Sequence, residues 1–196
     1  MKIEIIAYPR WEEAAWSELG PIYRDSFPHG AKPEAILRRM IDRGLAVLHG
    51  AYRKGEAVGM AVTGFSREEA DDVDDTDKEQ KPRMIIDYLA VRQDIRGLGI
   101  GKQLFDGLKA WAVASEGIGS ILIEAEAEDT PENRKRMQFW ECLGFQSTSY
   151  IHQYRWVPEP YRALLLPLDL NALVQDDGKA LFREITRFHE LSFRKG

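Results

Sequence analysis

A mixed α/β (α+β) sheet is the fold class that this sequence predicts, and three observations predict it. Leu45 to Tyr52 and Ala57 to Gly64 flank Arg53-Lys54-Gly55-Glu56, a tight-turn signal that makes them an antiparallel pair. Later strand candidates, Arg83 to Val91 and Ser120 to Ala127, are separated by a stretch of helical spacing, Gly101 to Ser115. The resulting order, βααβββαβαββ-α, mixes a hairpin meander with helix-linked strands.

The 196 residues, 44% of them hydrophobic, suffice for one compact domain with a sizeable core. From the start, Lys2 to Tyr8 reads as a strand. Trp11 to Phe27 has helical spacing at Trp11, Ala15, Leu19, Ile22 and Tyr23, with Gly20-Pro21 expected to kink or divide it. Pro33 to Arg43 reads as a helix that Gly44 stops. After the hairpin, 66–82 carries eight acidic residues against three basic ones and reads as a loop insertion. "RMIIDYLAV", Arg83 to Val91, is the most apolar strand candidate. Pro131 opens a helix through Leu143, terminated by Gly144, and Tyr150 to Val157 and Leu164 to Leu168 are the last strand candidates. In the tail, Leu181, Ile185 and Phe188 share one helical face, which either covers the domain's own sheet or packs in a homodimer.

Charge and cysteine content exclude several classes. A net charge of -5 argues against a sequence-independent hold on nucleic acid. The one cysteine, Cys142, excludes a disulfide framework, suits a cytoplasmic setting, and reads as a small core residue. No signal-peptide h-region and no membrane-length apolar run occur. His29, His49, His152 and His189 lack metal-ligand spacing, so no metal is expected. Trp11, Trp16, Trp111, Trp140 and Trp156 read as core or edge packing.

The segment "VRQDIRGLGIGKQLFDGL", Val91 to Leu108, sets Gly97, Gly99 and Gly101 at alternate positions between a strand and a helix. Such a junction aims main-chain N–H groups and the positive end of a helix dipole at one point, where an anion binds. Glycine there allows close approach and positive φ. The dinucleotide fingerprint fails at Lys102, and the P-loop pattern fails at Arg96 and Gln103.

What remains, Arg96-x-x-Gly99-x-Gly101 after Leu89-Ala90-Val91, resembles the signature loop of the GNAT superfamily of acetyl-CoA-dependent N-acetyltransferases. "NRKRMQFWECLGF", Asn133 to Phe145, resembles that family's second motif at Asn133, Phe139, Gly144 and Phe145. The resemblance implies a GNAT domain over 1–170 with a helical extension at 171–196. Its sheet is mostly antiparallel and twisted, with a V-shaped splay between two parallel central strands. It further implies that acetyl-CoA is held by Leu89, Ala90 and Val91, by Arg96, Gly97, Leu98, Gly99, Ile100, Gly101 and Lys102, and by Asn133 and Phe139. The acceptor it implies is a primary amine of a small molecule or peptide, attacking the thioester directly.

The family's usual tyrosine acid falls at Trp140, so another tyrosine (Tyr150 or Tyr154), an indirect water or no acid at all takes that role. For the base, Glu124 and Glu126 share one face of a strand, and Asp87 lies within the apolar one; Glu126 ranks first and Asp87 next. Lys102 either touches phosphate or is solvated on the first helical turn. An acyl-CoA-binding sensor with little turnover is the rival reading, carried by Trp140.

Overall fold

The structure is a computed structural model that describes residues 2–66, 81–155, 157–169 and 177–194. The strands are β1 (Glu4–Tyr8), β2 (Ala46–Arg53), β3 (Glu56–Ser66), β4 (Arg83–Val91), β5 (Ser120–Glu126), β6 (Gln146–Gln153) and β7 (Pro160–Pro167). The helices are α1 (Glu13–Ser26), α2 (Glu34–Asp42), α3 (Ile100–Glu116), α4 (Pro131–Cys142) and α5 (Lys179–Phe193). Their order along the chain is the one expected from sequence. The sheet runs β1-β2-β3-β4-β5-β7-β6. Among the pairings described, β1–β2, β2–β3, β5–β7 and β6–β7 are antiparallel, and β4–β5 is parallel, joining Arg83–Ile85 to Ser120–Leu122.

The chain forms two compact units, one of residues 1–65, 86–115 and 191–196, the other of 66–85 and 116–190. In the first, Lys54 (φ 52) and Gly55 (φ 82) make the two-residue turn joining β2 to β3. Its core is filled by Leu19, Leu37, Met40, Leu48, Met60, Leu104, Phe105 and Leu108. α1 runs through Pro21 as one helix, so of the two expected outcomes, a kink or a division, division does not occur. Leu19, Gly20, Ile22 and Tyr23 are buried on both sides of the proline, and that packing outweighs the missing N–H.

In the second unit, β5 brings buried Ile121, Leu122 and Ile123 against Leu164 and Leu165 of β7. α4 begins at Thr130, whose hydroxyl accepts the Asn133 N–H. β6 starts at Gln146, four residues before the expected Tyr150, because Gly144 (φ 94) turns the chain straight out of α4 into the sheet. β7 starts at Pro160, four before the expected Leu164. α5 buries Leu181, Phe182, Ile185 and Phe188 and is tied down by the Arg83–Glu184 ion pair and by Ser66, whose hydroxyl donates to Glu184.

Cys142 is exposed rather than in the core. Trp140, two residues earlier, takes the buried face of α4, and a helical step of two points Cys142 away from it. Most of the acidic stretch, residues 67–80, and Trp156 lie outside the described residues. No described helix is long and apolar enough to cross a membrane.

Candidate active site

In the first unit, β4 ends at Val91, a single 3-10 turn covers Gln93–Ile95, and α3 begins at Ile100. Between them Gly97 (φ 81) and Gly99 (φ 76) hold the left-handed backbone that glycine alone adopts without strain. A Cβ built on either meets nothing within 4 Å, so the loop is open on that side. Helix geometry leaves the N–H groups of Ile100, Gly101 and Lys102 without intrahelical acceptors, and Gln103 is the first to bond back, to the Gly99 carbonyl at 3.2 Å. Leu98 points outward at 59% exposure, whereas Ile100 is buried. This junction fits an anion the size of a phosphate.

The flanking side chains serve the loop itself. Arg96 donates from Nε to the Val91 carbonyl at 3.0 Å and from its terminal nitrogen to the Ser26 hydroxyl at 3.1 Å. Lys102 pairs with Asp106 at 2.7 Å on the exposed face of α3. On β4, Ala90 is buried, and Leu89 and Val91 are half-buried.

Asp87 does not stand alone. The Lys32 ammonium lies 2.7 Å from each of its carboxylate oxygens, with the two side chains 6% and 4% exposed. Lys32 comes from the loop between α1 and α2, which is pinned at three main-chain atoms. The Lys32 N–H donates to the Tyr88 hydroxyl, Tyr23 donates to the Lys32 carbonyl, and Tyr88 donates to the Gly30 carbonyl. Burial pushes the Tyr23 phenol up to about 12 and Tyr88 higher still, so both remain protonated donors. Nothing in the sequence pattern singled out Lys32.

In the second unit, Glu124 and Glu126 flank buried Ala125 and so share one face of β5. Glu124 is held at both oxygens: Tyr154 donates to Oε2 at 2.6 Å, and His189 Nε2 lies 2.8 Å from Oε1. Glu126 is held more loosely, its Oε2 3.2 Å from Arg136. Burial first, then the Glu124 charge, pushes the Tyr154 phenol far above its ordinary value. Tyr161, opposite Glu126 in the β5–β7 register, is pushed up to about 12 by burial and by both carboxylates. His152 stacks on Phe182 at 4.6 Å, and burial lowers its pKa.

The other sequence candidates of this unit make contacts of their own. The Tyr150 hydroxyl is 3.5 Å from His152 Nδ1 and its ring packs on Phe182. Asn133 is buried, and its Nδ2 donates to the Glu128 carbonyl at 3.2 Å, which braces the turn into α4. Glu126, Asn133, Met137 and Arg162 line one cleft. Phe139 is half-buried, and Trp140 packs edge-to-face on Phe139 and Phe145. His189 had no sequence signal beyond its place on the apolar tail helix.

Residues 11–145 match the model of the acetyltransferase (GNAT) family. No curated protein matches the sequence. Among solved structures, Arabidopsis thaliana NAA60 in complex with acetyl-CoA is 16% identical, with a TM-score of 0.62 over 85% of this chain and 99% of that one. Arabidopsis thaliana Naa50 in complex with the bisubstrate analogue CoA-Ac-MVNAL is 15% identical, with a TM-score of 0.63 over 86% of this chain and 100% of that one. An N-acetyltransferase from Staphylococcus aureus Mu50 is 13% identical, with a TM-score of 0.61 over 86% and 99%.

Proposed function

Since the chain belongs to the acetyltransferase (GNAT) family, we propose that it transfers acetyl from acetyl-CoA to a primary amine of a small molecule or peptide, in the cytoplasm. The observation that carries this reading is the open Gly97–Gly99 turn at the head of α3, whose backbone suits a pyrophosphate. Gly97 to Lys102 hold the pyrophosphate through their main chain, and Arg96 keeps the loop against the end of β4. When bound, acetyl-CoA supplies an activated thioester.

The carboxylates divide the remaining work. Asp87 is neutralised by Lys32 and acts in holding the α1–α2 loop. Glu124 is already engaged by Tyr154 and His189 and serves as a fixed anion beside the amine, whose nitrogen turns cationic as it attacks. Glu126, held by one long contact to Arg136, is the base that takes the amine proton, directly or through one water. No tyrosine acid is needed. The thiol that acetyl-CoA would release there has an ordinary pKa, about 8.5, so it would need no proton from this chain in order to leave.

Trp140 favours a second reading, an acyl-CoA-binding sensor with little turnover, because it fills with a buried indole the position where the family's tyrosine acid usually stands. The two readings separate on thiol release. The protein is mixed with acetyl-CoA and spermidine, kanamycin, a lysine-containing peptide or a peptide with a free N-terminus, and free thiol is followed by dye. Release that depends on one of these amines, and falls in Glu126→Gln, supports transfer. Tight acetyl-CoA binding with no release above the acceptor-free rate supports the sensor.

A further inference from the structure

α5 presents one face to the Glu124 cluster. Phe182 stacks on His152, Thr186 lies beside the Tyr154 hydroxyl, and His189 reaches Glu124. Positions 182, 186 and 189 follow the i, i+4, i+7 spacing that lines one side of a helix. Glu124 and His189 are 65 residues apart in sequence, and α5 lies beyond the residues 11–145 that the family model matches.

We propose that His189 is a positioning residue for the transfer, and that α5 is thereby part of the catalytic apparatus rather than only a cover for the sheet. The inference rests on the proposed transfer of acetyl to an amine. A carboxylate accepts and cannot donate, so His189 presents its Nε2–H to Oε1, while Tyr154 presents its O–H to Oε2. Two donors on two oxygens fix both the rotation of the carboxylate and the direction of its charge. A fixed anion stabilises the cationic nitrogen of the transition state without having to turn toward it, which is the gain that preorganisation gives.

The apolar face of α5 is carried by side chains other than His189. Leu181, Phe182, Ile185 and Phe188 are its buried apolar residues, whereas the His189 side chain is 23% exposed. Removing the imidazole therefore leaves the anchoring of the helix in place.

The test compares wild type with His189→Leu, which removes the donor, and His189→Gln, which keeps an amide N–H at similar reach. Thiol release is measured with the four amines above and without acceptor, alongside thermal unfolding. The acetyl-CoA-free protein is examined by long-range ¹⁵N NMR for the tautomer of His189. The expected result is an Nε2-protonated tautomer and a kcat about ten- to a hundredfold lower in His189→Leu at nearly unchanged KM for acetyl-CoA, the scale of loss for a misplaced group. His189→Gln recovers most of that kcat, which a purely structural role would not give. Equal kcat in wild type and His189→Leu overturns the proposal, as does an Nδ1-protonated tautomer. Absence of thiol release from wild type under every condition overturns the transfer reading itself, and the positioning role with it.

Discussion

The Lys32 ammonium sits 2.7 Å from both carboxylate oxygens of Asp87, and the two side chains are almost fully withdrawn from water. A buried pair of this kind is costly to break from one side, because the remaining charge keeps its desolvation penalty and loses its partner. Lys32→Met is expected to lower stability by about 3–5 kcal/mol, while Lys32→Met with Asp87→Leu recovers most of the loss. Urea unfolding of both variants checks this; a single variant within about 0.5 kcal/mol of wild type contradicts it.

His49 gives the chain a pH-dependent stability. It is fully buried, with Nε2 2.9 Å from the Thr63 hydroxyl and its ring edge-on to Trp111, and burial lowers its pKa to about 3. The unfolded chain protonates this residue near pH 6.5, whereas the folded one does not until about pH 3. Between those values the unfolded state binds more protons, so stability falls as pH falls, by about 1.4 kcal/mol per unit. Between pH 7 and 5, wild type is expected to lose about 2 kcal/mol more than His49→Gln, which does not titrate. Parallel denaturation curves at the two pH values measure the difference.

Glu126 and Tyr154 are predicted to differ in kind. Glu126→Gln removes the proposed base and is expected to lower kcat by about 10²–10⁴. Tyr154→Phe removes a donor to Glu124 whose own proton stays in place, and is expected to cost about tenfold, the scale of a lost positioning contact. Steady-state thiol release on both variants distinguishes them. Equal losses contradict the division of roles.

The sequence made the element order legible because its punctuation is local: Lys54-Gly55 closes one hairpin and Gly144 ends α4. The glycine loop was legible for the same reason, since its chemistry lies in consecutive backbone atoms. β6 was harder to place. Its residues, "QSTSYIHQ", alternate polar with polar and carry no clear apolar face. Lys32–Asp87 and Glu124–His189 were not legible at all, being 55 and 65 residues apart and joined only by the folded chain. The candidate carboxylates were visible in sequence, but not the partners that decide which of them is available.

If the bare turn before α3 exists to hold acetyl-CoA, calorimetric titration of acetyl-CoA into wild type and Gly99→Val will show it. Valine at φ 76 is strained, and its side chain occupies the open approach to the turn, so circular dichroism first establishes that the variant is folded. Micromolar binding by wild type, about -8 kcal/mol, and none by the folded variant is the expected result. No binding by folded wild type, or equal binding by both proteins, would contradict it.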